Sequence, residues 1–315
     1  MPLDLKIMKT KAGEAPLPFI YENFPKELLK SSEINNRKFW RFSDYIEGVA
    51  CMDKTTIIGV ILGIIAVGVG MVFKGVSPSV LINPAAILII ILGTAAAVSI
   101  AFPTNEIKRV PKLFGILFKE EKLMNPSEMI KMFSDWAQLA RKEGLLALEV
   151  KTNEIEDAFL KNGLSLAVDG QSADYIRDVL SEEIEAMEER HQAGAQIFSQ
   201  AGTYAPSLGV LGAVIGLIAA LGNMADTASL GHAISAAFVA TLLGIFTGYV
   251  FWHPFANKLK RKSKQEAKIK SMMIEGILSI LEGEAPRVIE QKLASYLPAG
   301  ERRKFLDESS VAKDE

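Results

Sequence analysis

The sequence predicts an all-α integral membrane protein with four transmembrane helices and a large helical cytoplasmic loop between the second and third. Three observations carry this reading. Four stretches are apolar and of membrane length: Thr56 to Phe73, Val80 to Phe102, Tyr204 to Leu221 and Ala233 to Trp252. About 20 apolar residues span the hydrocarbon core of a bilayer. None of the four holds an Asp, Glu, Lys or Arg. The segments between and after them are densely charged and rich in helix formers.

The absence of ionisable groups in the spans is itself informative. Ion transport through a membrane calls for an ionisable group at depth. If this chain moves ions, a partner must supply that group. Other chemistries find little support. The single cysteine, Cys51, rules out an internal disulfide and a cysteine-based zinc site. The three histidines, His191, His232 and His253, are scattered without metal-ligand spacing. No phosphate-binding loop, dinucleotide fingerprint or hydrolase motif is present, so neither an enzyme nor a cofactor is expected.

Orientation follows from flanking positive charge. Lys108, Arg109, Lys112, Lys119 and Lys122 follow the second span, and Lys258, Lys260, Arg261, Lys262 and Lys264 follow the fourth. The two short connectors carry only Lys74 and Asp226. The connectors are therefore expected outside, and the long loop and both termini in the cytoplasm. This divides the chain into residues 1–51, a first membrane hairpin (52–102), a cytoplasmic region (103–200), a second hairpin (201–254) and a C-terminal cytoplasmic part (255–315).

Residues 1–51 mix Pro, Asn, aromatic and charged residues without periodicity, and lack the apolar core of a signal peptide. Met52-Asp53-Lys54-Thr55 leads directly into the first span and reads as a natural start. Met52 is the expected initiator, with a cytoplasmic extension as the alternative. In the loop, Asn125-Pro126-Ser127-Glu128 marks a helix start. Ile130, Phe133, Trp136, Ala137 and Ala140 then form an amphipathic stripe. A second short helix begins near Glu154 to Leu160 and is expected to close at Asn162-Gly163. From Ser172 an acidic helix is expected to run without a long break into the third span. Asn257 to Leu281 continues the fourth span as a charged helix, Glu284-Ala285-Pro286 ends it, and an amphipathic helix follows to about Tyr296. Lys304 to Glu315 is expected to fray.

Small residues recur four apart in three spans: Gly59 and Gly63, Gly212 and Gly216 (with Gly209 before them), Gly244 and Gly248. This spacing lets helix backbones approach closely and predicts a tight oligomer. Polar atoms in the last two spans are few: Thr203, Tyr204, Ser207, Ser235, Thr241 and Thr247. Thr241 lies near mid-membrane, where its hydroxyl either bonds back to its own helix or faces a watery path. Pro206 removes one helix hydrogen bond and frees a carbonyl at depth. Pro254, after Trp252-His253, is expected to bend the helix as it leaves the bilayer.

Several segments together point to a family. Thr203 to Gly216 read TYAPSLGVLGAVIG, and Phe238 to Pro254 read FVATLLGIFTGYVFWHP. The loop carries WAQLARKEGLLALE from Trp136 to Glu149, then VDGQSADYIRDVL and EEIEAMEERH. From Met52 to about Phe305 the chain resembles the MotA family, the ion-conducting stator subunits of the bacterial flagellar motor.

The resemblance implies a partner of the MotB type, with one membrane helix bearing an essential Asp and a peptidoglycan-binding domain. It implies five copies of this chain around two partner chains in the bacterial inner membrane. It places Pro206, Thr241, Ala213 and Tyr204 on the ion path, and Pro206 and Pro254 in conformational coupling. It assigns Arg141 and Glu149 to contact with the rotor switch protein, FliG. Sodium-type relatives carry Thr where this chain has Ala213. A dehydrated hard cation wants oxygen ligands, and a methyl group offers none, so protons are the expected ion. The alternatives are an ExbB/TolQ-like proton-channel subunit that energises envelope transport, whose relatives have three spans, and a non-conducting membrane scaffold.

Overall fold

The computed structural model describes residues 53–119, 123–222 and 227–311, which belong to one compact unit. The reading of residues 1–51 and of Met52 as initiator lies outside the described residues. The fold is helical throughout the described chain, with four helices long and apolar enough to cross a membrane.

The first membrane helix, α1 (Lys54–Phe73), starts where Asp53 accepts the backbone N–H groups of Thr55 and Thr56. It ends where Gly75 takes a positive φ of 75°. The second, α2 (Pro84–Ala101), begins after Asn83, whose side chain accepts from the Ala86 N–H, with Pro84 in the first turn. Both ends obey ordinary capping chemistry, a side-chain oxygen for the orphan donors and a proline that needs none. A short helix α3 (Thr104–Ile107) and an amphipathic helix α4 (Val110–Phe118) lead away from α2.

The polar body follows. Helix α5 (Pro126–Glu143) is capped by Asn125 and stopped by Gly144 at φ +87°. A 3₁₀ turn (Leu145–Leu148) and short helix α6 (Glu149–Glu154) succeed it. Helix α7 (Ala158–Val168) is capped by Asp157, which accepts from the Leu160 N–H at 2.8 Å. It runs through Asn162 and Gly163, where the sequence suggested an end. Gly163 is there for packing: a Cβ at that position would lie 2.6 Å from Ile277 Cδ1 and 2.8 Å from Leu180 Cδ1.

Helix α8 (Ala173–Leu221) joins the polar body to the third span as one 49-residue helix, capped by Ser172. The expected unbroken passage is therefore present. The return helix has three parts: α9 (Thr227–Phe246), a π-helical turn (Thr247–Trp252) and α10 (His253–Leu281). Helices α11 (Pro286–Ala294) and α12 (Ala299–Val311) close the chain. The tail is thus helical to Val311 rather than frayed from Lys304, because Phe305 is buried in the main core.

That core is a conventional one. Phe133, Met129, Ile130, Leu160, Leu180, Ile277 and Leu293 are fully enclosed between α5, α7, α8, α10 and α11. Phe133 meets Trp136 edge to face at 5.5 Å. Gly276 makes room for it, since a Cβ there would sit 2.7 Å from the Phe133 ring. A polar clasp holds α11 to this core. Lys292 reaches Glu275 at 2.5 Å and Glu284 at 3.5 Å, and Ser134 donates to Glu290 at 2.6 Å. The Glu275 bond is the main reason that the Lys292 ammonium is held above its ordinary pKa.

Candidate functional site: the α8–α9 crossing and the polar tip

The third and fourth spans meet backbone to backbone. A Cβ on Gly209 would lie 2.8 Å from the Ala240 carbonyl oxygen and 2.9 Å from Gly244 Cα. A Cβ on Gly244 would lie 2.8 Å from both the Ala205 oxygen and Gly209 Cα. Further along, Gly212 faces Ala240, and Gly216 faces Ala237. Gly63 of α1 faces Val250, at 2.6 Å from its Cγ1 to a built Cβ. These glycines therefore close contacts within one chain. Gly59, the other member of the α1 pair, meets nothing within 4 Å in the chain.

Pro206 belongs to the same crossing. As a proline it cannot donate to the carbonyl four residues earlier, that of Gly202. That oxygen and the Pro206 ring both lie against Gly248, at 2.8 Å from a Cβ built there. Only a glycine lets the freed carbonyl and the ring share that surface. Gly202 in turn lies beneath the His253 ring, which is 5.3 Å from the Tyr249 ring.

Pro254 follows directly, exposed in the first turn of α10. The helix is continuous there and carries the π-helical turn before the proline. The His253 N–H reaches back to the Gly248 oxygen, five residues away. A wider turn of this kind absorbs the bond that a proline cannot make. Gly248 thus sits where a proline of α8 and a proline-linked π turn meet.

The threonine hydroxyls of this region bond to their own helices. Thr241 donates to the Ala237 oxygen at 3.2 Å, Thr247 to Leu243 at 2.8 Å and Thr203 to Ser199 at 3.2 Å. Each hydroxyl proton is committed, and each oxygen keeps lone pairs that can still accept. Thr241 and Ala213 are half-buried and lie at the same depth, because the Gly212–Ala240 contact places their neighbours side by side. Tyr204 packs against the buried cluster of Val98, Ile197 and Ala201. On α8, Thr203, Ser207 and Val210 face outward, as do Phe238 and Ile245 on α9 and Tyr249 in the π-helical turn.

Arg141 and Glu149 stand apart from this crossing, in the polar body. Arg141 lies in the last turn of α5 and Glu149 opens α6, both exposed. Gly144 and the 3₁₀ turn between them make a tip.

The sequence reading missed a collar at the polar end of the spans. Lys258 reaches the Asp53 carboxylate at 2.5 Å and the Thr55 hydroxyl at 2.9 Å. Lys262 donates to the Ile116 and Lys119 carbonyls at 2.7 and 2.6 Å. The Asp53 N–H donates to the Phe118 oxygen at 2.8 Å. Burial alone would raise the Asp53 carboxyl. The Lys258 hydrogen bond, supported by Thr55 and Thr56, overrides it and lowers the pKa from 3.8 to about 2. This collar ties α1 and α4 to α10. Lys258 and Lys262 were visible in sequence as orienting charges, but nothing there paired them with Asp53.

The comparisons agree with this architecture. Residues 151–272 match the MotA/TolQ/ExbB proton channel family. The chain is 70% identical over 264 residues to motility protein A of Bacillus subtilis, covering 84% of this chain and 98% of that protein. It is similar to a solved chain of the flagellar MotAB stator complex from Bacillus subtilis, with a TM-score of 0.77, 72% identity, and coverage of 80% and 99%. It is also similar to a chain of C. jejuni MotAB, with a TM-score of 0.76, 34% identity, and coverage of 79% and 97%. The chain belongs to the MotA/TolQ/ExbB proton channel family, within its MotA branch of flagellar stator subunits.

Proposed function

We propose that this chain conducts protons together with a MotB-like, peptidoglycan-anchored subunit and converts their flow into torque on the rotor. One observation carries the reading. The α8–α9 crossing holds hydroxyl oxygens and a proline-freed carbonyl but no Asp, Glu, Lys or Arg in its membrane part. A carboxylate from a partner helix completes it. Thr241 and Tyr204 then lie along the path, with Ala213 offering no cage for a larger cation. Protons hop along waters and need no such cage.

In this reading the short connectors face outside, the polar body and both termini face the cytoplasm, and five copies surround two partner chains in the inner membrane. Protonation neutralises the partner's acid and releases its electrostatic hold on the ring, which then steps. Pro206, Gly248 and Pro254 supply the bend through which a span transmits that step. Arg141 and Glu149 meet the rotor switch protein, FliG. Arginine keeps its charge at every cellular pH, so the grip persists through the cycle.

The test is acidification of cells that express this chain with its partner. Flux should require both chains, and Asp→Asn in the partner's membrane helix should abolish it. Sodium-dependent swimming that survives a protonophore would defeat the proton assignment. Flux without the partner would defeat the shared path.

A further inference from the structure

Among the described residues, nearly all large, well-exposed apolar side chains lie on the membrane helices or the turn that joins α1 to α2. Four lie in the polar body: Leu146 (71% exposed), Val150 (66%), Tyr175 (50%) and Val288 (46%). Leu146 and Val150 are the most exposed of these and the only two close in sequence. They stand four residues apart, one in the 3₁₀ turn and one in the first turn of α6, both exposed.

Their neighbours show that apolar residues here were not simply left over. Leu148 is fully buried and Leu145 packs against the main core. The segment thus turns two leucines inward and leaves Leu146 in water. The charges around it divide in the same way. Lys151 pairs with Glu154 at 2.9 Å. Arg141, Lys142 and Glu149 are exposed and make no ion pair among the described residues. An exposed apolar pair therefore lies in a segment whose neighbouring exposed charges are of both signs: Arg141, Lys142 and Glu143 before it and Glu149 within it.

We propose that Leu146 and Val150 form the apolar centre of the rotor contact, with the neighbouring exposed charges Arg141, Lys142 and Glu149 steering the encounter. This rests on the rotor-contact reading above and specifies its chemistry. The receiving surface is an apolar depression bordered by an acidic and a basic side chain. Exposed charge pairs are individually weak and are screened at cellular salt. They raise the rate of encounter more than the strength of the grip. A contact that must bear load and re-form at each step needs a part that salt does not weaken. Two aliphatic side chains entering a depression supply it.

The experiment uses the full chain with its partner subunit, in a motile host lacking its own stator. Three variants are compared: L146S/V150S, the apolar control L146M/V150I, and R141E. Readouts are fluorescent stator number per motor, proton flux, mass of the purified complex, and capture of purified rotor switch protein at low and high salt.

The double serine variant should lower motor occupancy and capture by about tenfold or more, the scale of losing one buried aliphatic side chain. Flux and complex mass should be unchanged, and the loss should persist at high salt. The apolar control should dock normally. Wild-type docking by L146S/V150S, while R141E fails to dock, would overturn the apolar centre and leave the rotor reading standing. Normal docking by all three would overturn both. A changed complex mass in L146S/V150S would assign the pair to contacts between copies and overturn the proposal.

Discussion

In the polar body, Phe133, Met129 and Leu160 are sealed from solvent, and side chains from five helices fill the space between them. In the membrane half, α8 and α9 touch through Gly209, Gly244 and the carbonyls of Ala205 and Ala240, with scarcely a side chain between them. The surrounding solvent explains the contrast. Water drives large apolar side chains together, so the polar body stabilises itself by burial. Lipid is as apolar as leucine, so spans gain little from burying it and depend on close backbone approach. One region is stabilised by what it encloses, and the other by what it omits.

The strongest test of that contrast fills an omission. Gly244→Leu drives a side chain into the backbone of α8, where neither Gly209 Cα nor the Ala205 carbonyl can yield. The expected result is loss of folded protein from the membrane fraction, read by size-exclusion profile of a fluorescent fusion. A normal profile would mean that the crossing is looser than described.

The complementary test empties an enclosure. Phe133→Ala should cost about 3–5 kcal/mol, the usual loss for a buried aromatic. Proteolysis should then open α5, α7 and α11 first and leave the spans protected. Simultaneous loss of both halves would show that they are coupled more tightly than their construction implies.

The collar lies between the two regions. Asp53→Asn leaves Lys258 without its carboxylate and should lower thermal stability by a smaller amount, about 1–3 kcal/mol. Because the Asp53 pKa is depressed to about 2, its contribution is full above the ordinary value of 3.8 and fades only as pH falls toward 2. The gap between wild type and variant should therefore be flat from about pH 5 to pH 8. A gap that shrinks across that range would assign the effect to another group.

The smallest structural effect belongs to Thr241→Val. It removes one hydroxyl bonded to its own helix and should change stability by about 1 kcal/mol or less. A clear fall in proton flux at unchanged stability would separate a conducting role from a packing role. Unchanged flux would leave Thr241 as an ordinary helix hydroxyl.

Much of this organisation is legible in the sequence, because its causes are local. The four spans follow from apolar length, and α5 follows from the Asn125-Pro126 cap and the Phe133 stripe. The long passage of α8 follows from an acidic helical run that meets no proline before the membrane. What stayed hidden depends on distant partners. Gly163 looks like a stop until Ile277 and Leu180 are packed against it. Gly209, Gly212, Gly216 and Gly244 show only a spacing until α9 is laid on α8 and gives them partners within the chain. Phe305 looks like part of a loose tail until it finds the core. Among the candidate site residues, Pro206 acquires a geometric reason from Gly248, across the crossing. Arg141 and Glu149 show only exposure, and their assignment still rests on resemblance.

The unbroken length of α8 has a mechanical consequence. At a rise of 1.5 Å per residue, its 49 residues make a rod of about 73 Å. The glycine crossing lies toward one end, so about 54 Å extends from Gly209 back to Ala173. A tilt of about 5° at that fulcrum would sweep the far end through about 5 Å. The long arm lies in the polar body and the short arm in the bilayer. Such a lever trades force for travel, so a small rearrangement in the bilayer becomes a displacement of molecular size at the other end.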